Sequence, residues 1–414
     1  ELAAQGLEEI YRTIDLPLAP VLADMERHGI LIDTDELSRL SSVMETEVAR
    51  LSREIYDLAG VEFNIGSPKQ LGKVLFEEMG LPAPVQRGKT QAWSTAADVL
   101  EGLAVEHAIV RKVLEYRQVT KLKSTYVDAL PALLNPKTGR LHTTWNQTGA
   151  ATGRLSSSNP NLQNIPIRTE QGREIRAAFV PRSGWKLVSA DYSQIELRLL
   201  AHFSEDPVLL DAFRSGEDIH RRTAAEVFGV MPELVDAEMR RSAKAVNFGI
   251  VYGLSGFGLA QQLGIPRKEA EMYIKRYFER YKGVQGFIDR TIEQARETGV
   301  VKTMFGRPRP IPDIKSRNWN ARGFAERVAV NSPLQGTAAD LIKLAMIRIQ
   351  ERLRKEKMRS LLLLQIHDEL LLEAPEQEAA DTERLVREEM ESVQKLRVPL
   401  VVDAGIGANW RDVK

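Results

Sequence analysis

There is no cysteine anywhere in the 414 residues. That excludes disulfides and thiolate metal sites and favours a reducing compartment, the cytoplasm. No apolar run approaches the ~20 residues of a membrane span, and no secretory leader pattern opens the chain. The expectation is a protein with no membrane partner. Net charge is also missing: 57 basic residues meet 57 acidic ones. A nucleic-acid binder is expected to show a basic surface, so the balance counts against one until the charges are mapped. Internal repeats and low-complexity tracts are absent. What remains is an ordinary globular composition, long enough for roughly three domain-sized units. The opening Glu1-Leu-Ala-Ala reads as a helix already under way, so a fragment is expected.

The charges are not evenly spread. Between Val110 and Val127, Arg111, Lys112, Arg117, Lys121 and Lys123 face one acid, Glu115. Between Val301 and Arg327, Lys302, Arg307, Arg309, Lys315, Arg317, Arg322 and Arg327 face Asp313 and Glu326. Either cluster alone is explained by a solvated helix face. Two of them flanking the motifs below favour a groove that tracks phosphates.

Residues 1–130 read as mostly helical. Asp33 caps a helix that runs to Leu58 and stops at Gly60, which accounts for Asp33 and Asp35 without a metal. Ser67-Pro68 opens another helix, closed by Gly80. Residues 82–96 read as a loop, and a long helix is expected over 106–130. Strands follow at Leu141–Thr144, Ala177–Val180 and Lys186–Ala190, the last two parted by a Pro181–Gly184 turn. Residues 205–315 return to helices, broken at Gly216, Gly229, Gly264, Gly283 and Gly299. A helix capped at Ser332-Pro333 runs to Lys355, and strands close the chain at 361–365, 370–373 and 399–404. A sheet made from two distant segments around a helical insertion implies an antiparallel sheet and an α+β class.

Two aspartates sit where apolar strands run out. Asp191 ends Lys186–Ala190 and begins Asp-Tyr-Ser-Gln-Ile-Glu-Leu-Arg198. Asp368 lies in Gln365-Ile-His-Asp-Glu369, at the tip of a leucine-rich hairpin. That tip ignores the Asn-Gly chemistry of tight turns, and local rule-breaking concentrates at function. Two carboxylates at one sheet edge suit Mg²⁺, which binds through one or two carboxylates plus substrate phosphates. Asp368 is therefore assigned as a metal ligand, with Glu369 as a weaker supporting or alternative one. Ser193-x-x-Glu196 matches a capping box, which explains Glu196 without any ligand.

Two further stretches carry chemistry. In Arg240-Arg-Ser-Ala-Lys-Ala-Val-Asn-Phe-Gly-Ile-Val-Tyr-Gly253, steps of three, four and four put Arg241, Lys244, Phe248 and Tyr252 on one helical face. Cations for phosphates beside rings for base and sugar suit a nucleoside triphosphate. Gly249 costs about 1 kcal/mol inside that helix, which implies close approach of something to its backbone. The loop from Thr152 to Arg168 is rich in amides and arginine. Arg154, Asn161, Gln163, Asn164 and Arg168 could test the minor-groove acceptors that every base pair offers. Asn331 and Gln335 could do the same.

These stretches, in this order, resemble the polymerase region of the family A DNA polymerases. DYSQIELR (191–198) looks like that family's motif A, RRSAKAVNFGIVYG (240–253) like motif B and QIHDE (365–369) like motif C. TGRLSS (152–157), PNLQNIP (160–166) and NSPLQGTAAD (331–340) match as well, so the resemblance covers nearly the whole chain.

The resemblance implies a right-hand fold: an antiparallel palm sheet with largely helical thumb and fingers. Its segments would be thumb with a lead-in to the palm (1–130), palm (131–204), fingers (205–315) and palm again (316–414). It implies a monomeric DNA-directed DNA polymerase of the bacterial cytoplasm and nucleoid, with primer-template DNA and deoxynucleoside triphosphates as partners and no nuclease module in this chain. Asp191, Asp368 and the Tyr192 carbonyl would hold two Mg²⁺ ions, for which Mn²⁺ substitutes. Arg240, Lys244 and His220 would contact the triphosphate, Lys244 acting in catalysis. Phe248 would pack on the incoming nucleotide, with Gln194 beside it and Tyr252 near the templating base. Glu196 would be a steric gate against a ribose 2′-hydroxyl, which displaces the capping-box reading and argues against an RNA-synthesising relative. Arg154, Asn161, Gln163, Asn164, Arg168, Arg327, Asn331, Gln335 and His367 would contact DNA. Phe248 lacks the hydroxyl of a tyrosine, so poor use of dideoxynucleotides is expected. A scaffold that had lost catalysis would be expected to shed its buried charges first.

Overall fold

The computed structural model describes residues 2–82, 93–167, 169–251 and 253–413. Most of the loop expected over 82–96 lies outside them. In chain order the strands are β1 (Leu31–Ile32), β2 (Thr144–Asn146), β3 (Ser156–Ser158), β4 (Phe179–Val180), β5 (Trp185–Tyr192), β6 (Val300–Lys302), β7 (Pro308–Pro310), β8 (Leu361–Ile366), β9 (Glu369–Pro375) and β10 (Val402–Gly407). The largest sheet has the order β10-β5-β9-β8, antiparallel throughout. Its two central strands come from the two distant segments, so the α+β class with an antiparallel sheet holds. The Pro181–Gly184 turn does not make a hairpin: β4 pairs with β1, while β5 pairs with β9 and β10.

Consecutive leucines in β8 and β9, Leu362–Leu364 and Leu370–Leu372, are all buried. A strand apolar on successive residues must be covered on both faces. Helix Ala379–Ser392 packs on β5 and β10, helix Leu16–His28 packs on β8, and helix Trp319–Lys355 packs against both helices. Helix Thr34–Ala59 starts as its cap demands, with Asp33 Oδ1 accepting from the Asp35 and Glu36 amides at 3.0 Å each, and it stops at Gly60 (φ 69°). The helix expected over 106–130 appears as Ala108–Leu122, a wider turn over Lys123–Val127 and a short Ala129–Ala132 segment.

Two expected helix boundaries change. Pro333 does not start a helix; it lies inside Trp319–Lys355, whose cap is Asn318, accepting from the Asn320 and Ala321 amides. The Ser332 hydroxyl donates to the Val328 carbonyl at 2.6 Å, which occupies a carbonyl in the turn where proline removes an amide. Gly283 is not a break either. It sits just inside helix Lys282–Thr298, where a Cβ would lie 2.7 Å from Asp206 Cα; the chain turns at Tyr281 instead. The β6–β7 hairpin and helix Ala379–Ser392 were not foreseen.

At about 55 Å, helix Trp319–Lys355 reaches from the helical insertion to the helices that cover the sheet. Gly336 lets it approach the 152–154 loop: a Cβ there would lie 2.6 Å from Thr303 Cγ2 and 3.3 Å from the Thr152 carbonyl oxygen. Gly336→Ala gains about 1 kcal/mol of helix propensity but overpacks this seam at a cost of about 1–3 kcal/mol. The variant is expected to melt below the parent in thermal unfolding; an equal or higher melting temperature would contradict the packing described.

Candidate active site

The acids are brought together by the sheet. Asp191 stands in register opposite Glu369 of β9 on one side and Asp403 of β10 on the other. One residue further on, the Tyr192 amide donates to the Asp368 carbonyl at 3.1 Å. The β8–β9 turn is His367-Asp368, and His367 takes a left-handed φ of 54°. Gln194, leading into helix Ile195–Ser204, is left-handed too (φ 55°, ψ 40°). Non-glycine residues in this region are uncommon and collect at functional sites. Both lie within a few residues of the aspartates.

The carboxylates differ in surroundings. Burial pushes the Asp368 carboxyl up to about 7; Arg154 opposes the rise, and the Glu196 and Asp191 charges add to it. Glu369 is turned along the sheet. Its Oε1 accepts from Ser189 Oγ at 2.6 Å and Trp410 Nε1 at 3.0 Å, and Arg176 Nη1 lies 3.5 Å from Oε2. Among the described residues no three acidic or histidine side chains converge as a metal cluster.

Glu196 heads helix Ile195–Ser204, yet this helix has no side-chain cap. The capping-box reading therefore fails: Gln194 rather than Ser193 is the cap residue, and its left-handed backbone breaks the spacing the box needs. The buried Glu196 carboxylate instead accepts from Arg154 Nη2 at 3.0 Å, which ties the 152–154 loop to the acid site.

Helix Ala237–Val251 packs on Ile195–Ser204. Lys244 is exposed, and Phe248 and Arg240 are half-buried. Arg240 Nε pairs with Asp218 at 2.7 Å, whereas Arg241 is held by Glu238 one turn back. Arg240, Lys244 and Phe248, each four residues apart, share one face of this helix. His220, from helix Ile219–Phe228, lies 5.7 Å ring to ring from Phe248. Asn247 Nδ2 stands 3.1 Å from His220 Nδ1, and Asn247 Oδ1 accepts from Thr223 Oγ1 at 3.1 Å. That arrangement makes Nδ1 the acceptor and leaves Nε2–H as donor. Burial pulls the His220 pKa down to about 4; Asp218 opposes this, and Lys244 and Arg240 add to it. The ring is neutral at pH 7. The close neighbour that Gly249 requires is Leu254, 3.1 Å from where a Cβ would sit.

On the far side of the acids, Gln163 Nε2 donates to the Gln365 carbonyl at 3.2 Å and to Gln365 Oε1 at 3.0 Å. Asn161, Gln163, Asn164 and His367 line a cleft of about 700 Å³, with Lys121 from helix Ala108–Leu122 and with Arg176. Burial, helped by Arg154 and Arg176, pulls the His367 pKa down. Gln335 and Asn331 are half-buried on helix Trp319–Lys355. The Arg327 stem on that helix packs on Gly253, 2.6 Å from where a Cβ would sit. Arg168 and Tyr252 lie outside the described residues. Within the basic clusters, Lys112 pairs with Glu54 and Glu115, Lys123 with Glu45 and Asp128, and Arg307 with Asp15 and Asp340. Sequence reading missed Arg176, Ser189 and Trp410, which no local motif marks.

A family model described as DNA polymerase family A matches residues 34–412. The chain belongs to that family. It is 52% identical over 405 residues to the thermostable DNA polymerase I of Thermus aquaticus, covering 98% of this chain and 48% of that protein. It is 52% identical over 415 residues to DNA polymerase I of Geobacillus stearothermophilus, covering 100% and 47%. The chain thus spans about half the length of these relatives. A solved structure, the POL domain of Pol1 from M. smegmatis in complex with DNA primer-template and dNTP, superposes with a TM-score of 0.94 at 44% identity, covering 100% of this chain and 72% of that one. The right-hand polymerase fold follows. No helix among the described residues is long and apolar enough to cross a membrane.

The Asp368 shift has a measurable consequence. A carboxyl with a higher pKa folded than unfolded holds its proton more tightly in the fold. It therefore costs stability as pH climbs from the ordinary 3.8 towards 7. In metal-free buffer, Asp368→Asn is expected to melt above the parent by roughly 2–5 °C at pH 8, with the gap closing towards pH 4. No gain at pH 8, or a gain independent of pH, would contradict it.

Proposed function

We propose that this chain performs template-directed DNA synthesis, adding deoxynucleotides to a primer 3′-hydroxyl with release of pyrophosphate. The observation that supports the reading is the Tyr192–Asp368 backbone bond, which joins the end of β5, where Asp191 stands, to the β8–β9 turn that carries Asp368. In this reading residues 131–204 and 316–414 form the palm, 205–315 the fingers and 1–130 the thumb with its lead-in. The partners are primer-template DNA and deoxynucleoside triphosphates, and the chain acts as a monomer.

Asp191, Asp368 and the Tyr192 carbonyl would hold two Mg²⁺ ions, or Mn²⁺ in their place. When bound, these lower the pKa of the attacking hydroxyl and neutralise charge on the leaving pyrophosphate. The chain's own residues do the rest. Arg240 and Lys244 bind the triphosphate, and the neutral His220 donates to it from Nε2. Lys244 stabilises the charge that develops as the α-phosphate is attacked. Phe248 packs on the nucleotide, Tyr252 lies by the templating base, and Gln194 turns the backbone next to Glu196. Glu196, held by Arg154, occupies the space that a ribose 2′-hydroxyl needs. Arg154, Asn161, Gln163, Asn164, Arg168, Arg327, Asn331, Gln335 and His367 bind the primer-template. The contacts that Glu369 makes with Ser189, Trp410 and Arg176 support a role behind the site rather than on a metal.

Asp191→Ala and Asp368→Ala are each expected to lower primer extension by roughly 10³-fold or more and to leave primer-template affinity close to the parent's. Extension retained in either variant would refute the assignment.

A further inference from the structure

Arg176, on helix Glu170–Ala177, is 4% exposed and belongs to none of the motifs that pointed to the site. Its guanidinium carbon lies 3.9 Å from the Trp410 ring centroid. Its Nη2 donates to the Ile165 carbonyl at 3.1 Å, and its Nη1 is 3.5 Å from Glu369 Oε2. One planar fork thus reaches the 160–166 loop, the acid turn and the C-terminal tryptophan together. Lysine, with a single ammonium, cannot reproduce that set.

Glu369 is adjacent in sequence to Asp368 and in register with Asp191. Its Oε1 is taken by two neutral donors, Ser189 and Trp410. Arg176 is the cation beside its Oε2, and Asp191 is near enough for its own charge to act on Arg176. A buried carboxylate that loses its cation is strongly disfavoured, and here a divalent ion bound next to it would be the ready replacement. A third carboxylate would then occupy a coordination position that a substrate phosphate oxygen should fill. We propose that Arg176 is a positioning residue: by pairing with Glu369 it holds that carboxylate out of the cation site and keeps the centre to two carboxylates. The proposal rests on the polymerase reading, in that Asp191 and Asp368 are taken to bind divalent ions.

The test is Mn²⁺ binding to the chain without DNA or nucleotide, followed by electron paramagnetic resonance of the free ion. It compares the parent with R176M, E369Q and the double variant R176M/E369Q. R176M is expected to bind Mn²⁺ about tenfold more tightly, the scale on which outer partners tune metal sites. E369Q alone should bind as the parent does, and the double variant should return to the parent's affinity. In primer extension R176M should lose kcat while KM for primer-template stays put, and the double variant should regain part of the loss. Should R176M fail to fold, R176Q carries the same comparison with a smaller change in packing. An unchanged affinity in the arginine variant, a gain that survives in the double variant, or a loss of Mn²⁺ binding in E369Q alone would overturn the proposal. A parent chain that binds no Mn²⁺ would sink the polymerase reading along with it, whereas the other contrary outcomes leave that reading standing.

Discussion

One backbone hydrogen bond, from the Tyr192 amide to the Asp368 carbonyl, joins the end of β5 to the β8–β9 turn. The two aspartates are far apart in sequence, and no local interaction relates them. Antiparallel pairing of β5 with β9 sets their relative height, and a slip of one residue would break the match of Asp191 with Glu369 and of Tyr192 with the turn. The leucines of β8 and β9, buried on both faces, resist such a slip. The hydrophobic core therefore fixes where the two aspartates stand as well as holding the fold.

That placement has an electrostatic cost. Asp191, Asp368, Glu196 and Glu369 collect in one region, and burial makes their charges harder to tolerate. Glu196, Asp368 and Glu369 each have a cation close by. Arg154 bonds Glu196 and acts on Asp368, while Arg176, Ser189 and Trp410 hold Glu369. At Asp368 burial outweighs the help from Arg154, and its pKa is raised. A divalent ion is the natural complement to such a pair.

Much of this was legible in the residues themselves. The strand ends carrying Asp191 and Asp368, the Asp33 cap and the face through Lys244 and Phe248 follow from period, caps and turn chemistry. The errors share a cause. Pro333 sits in mid-helix because Asn318 and tertiary packing outweigh a local start signal, and Glu196 is no cap because Gln194 takes a left-handed backbone that spacing cannot disclose. Arg307, which read as part of a basic groove, is paired with Asp15 and Asp340. Arg176 and Trp410 were invisible because only the folded chain brings them to Glu369.

The most direct test is anomalous diffraction from crystals of this chain grown with Mn²⁺, primer-template and an incoming deoxynucleotide. The account predicts manganese peaks between the Asp191 and Asp368 carboxylates, with Glu369 still paired to Arg176. Manganese elsewhere, or carboxylates too far apart to share an ion, would contradict it.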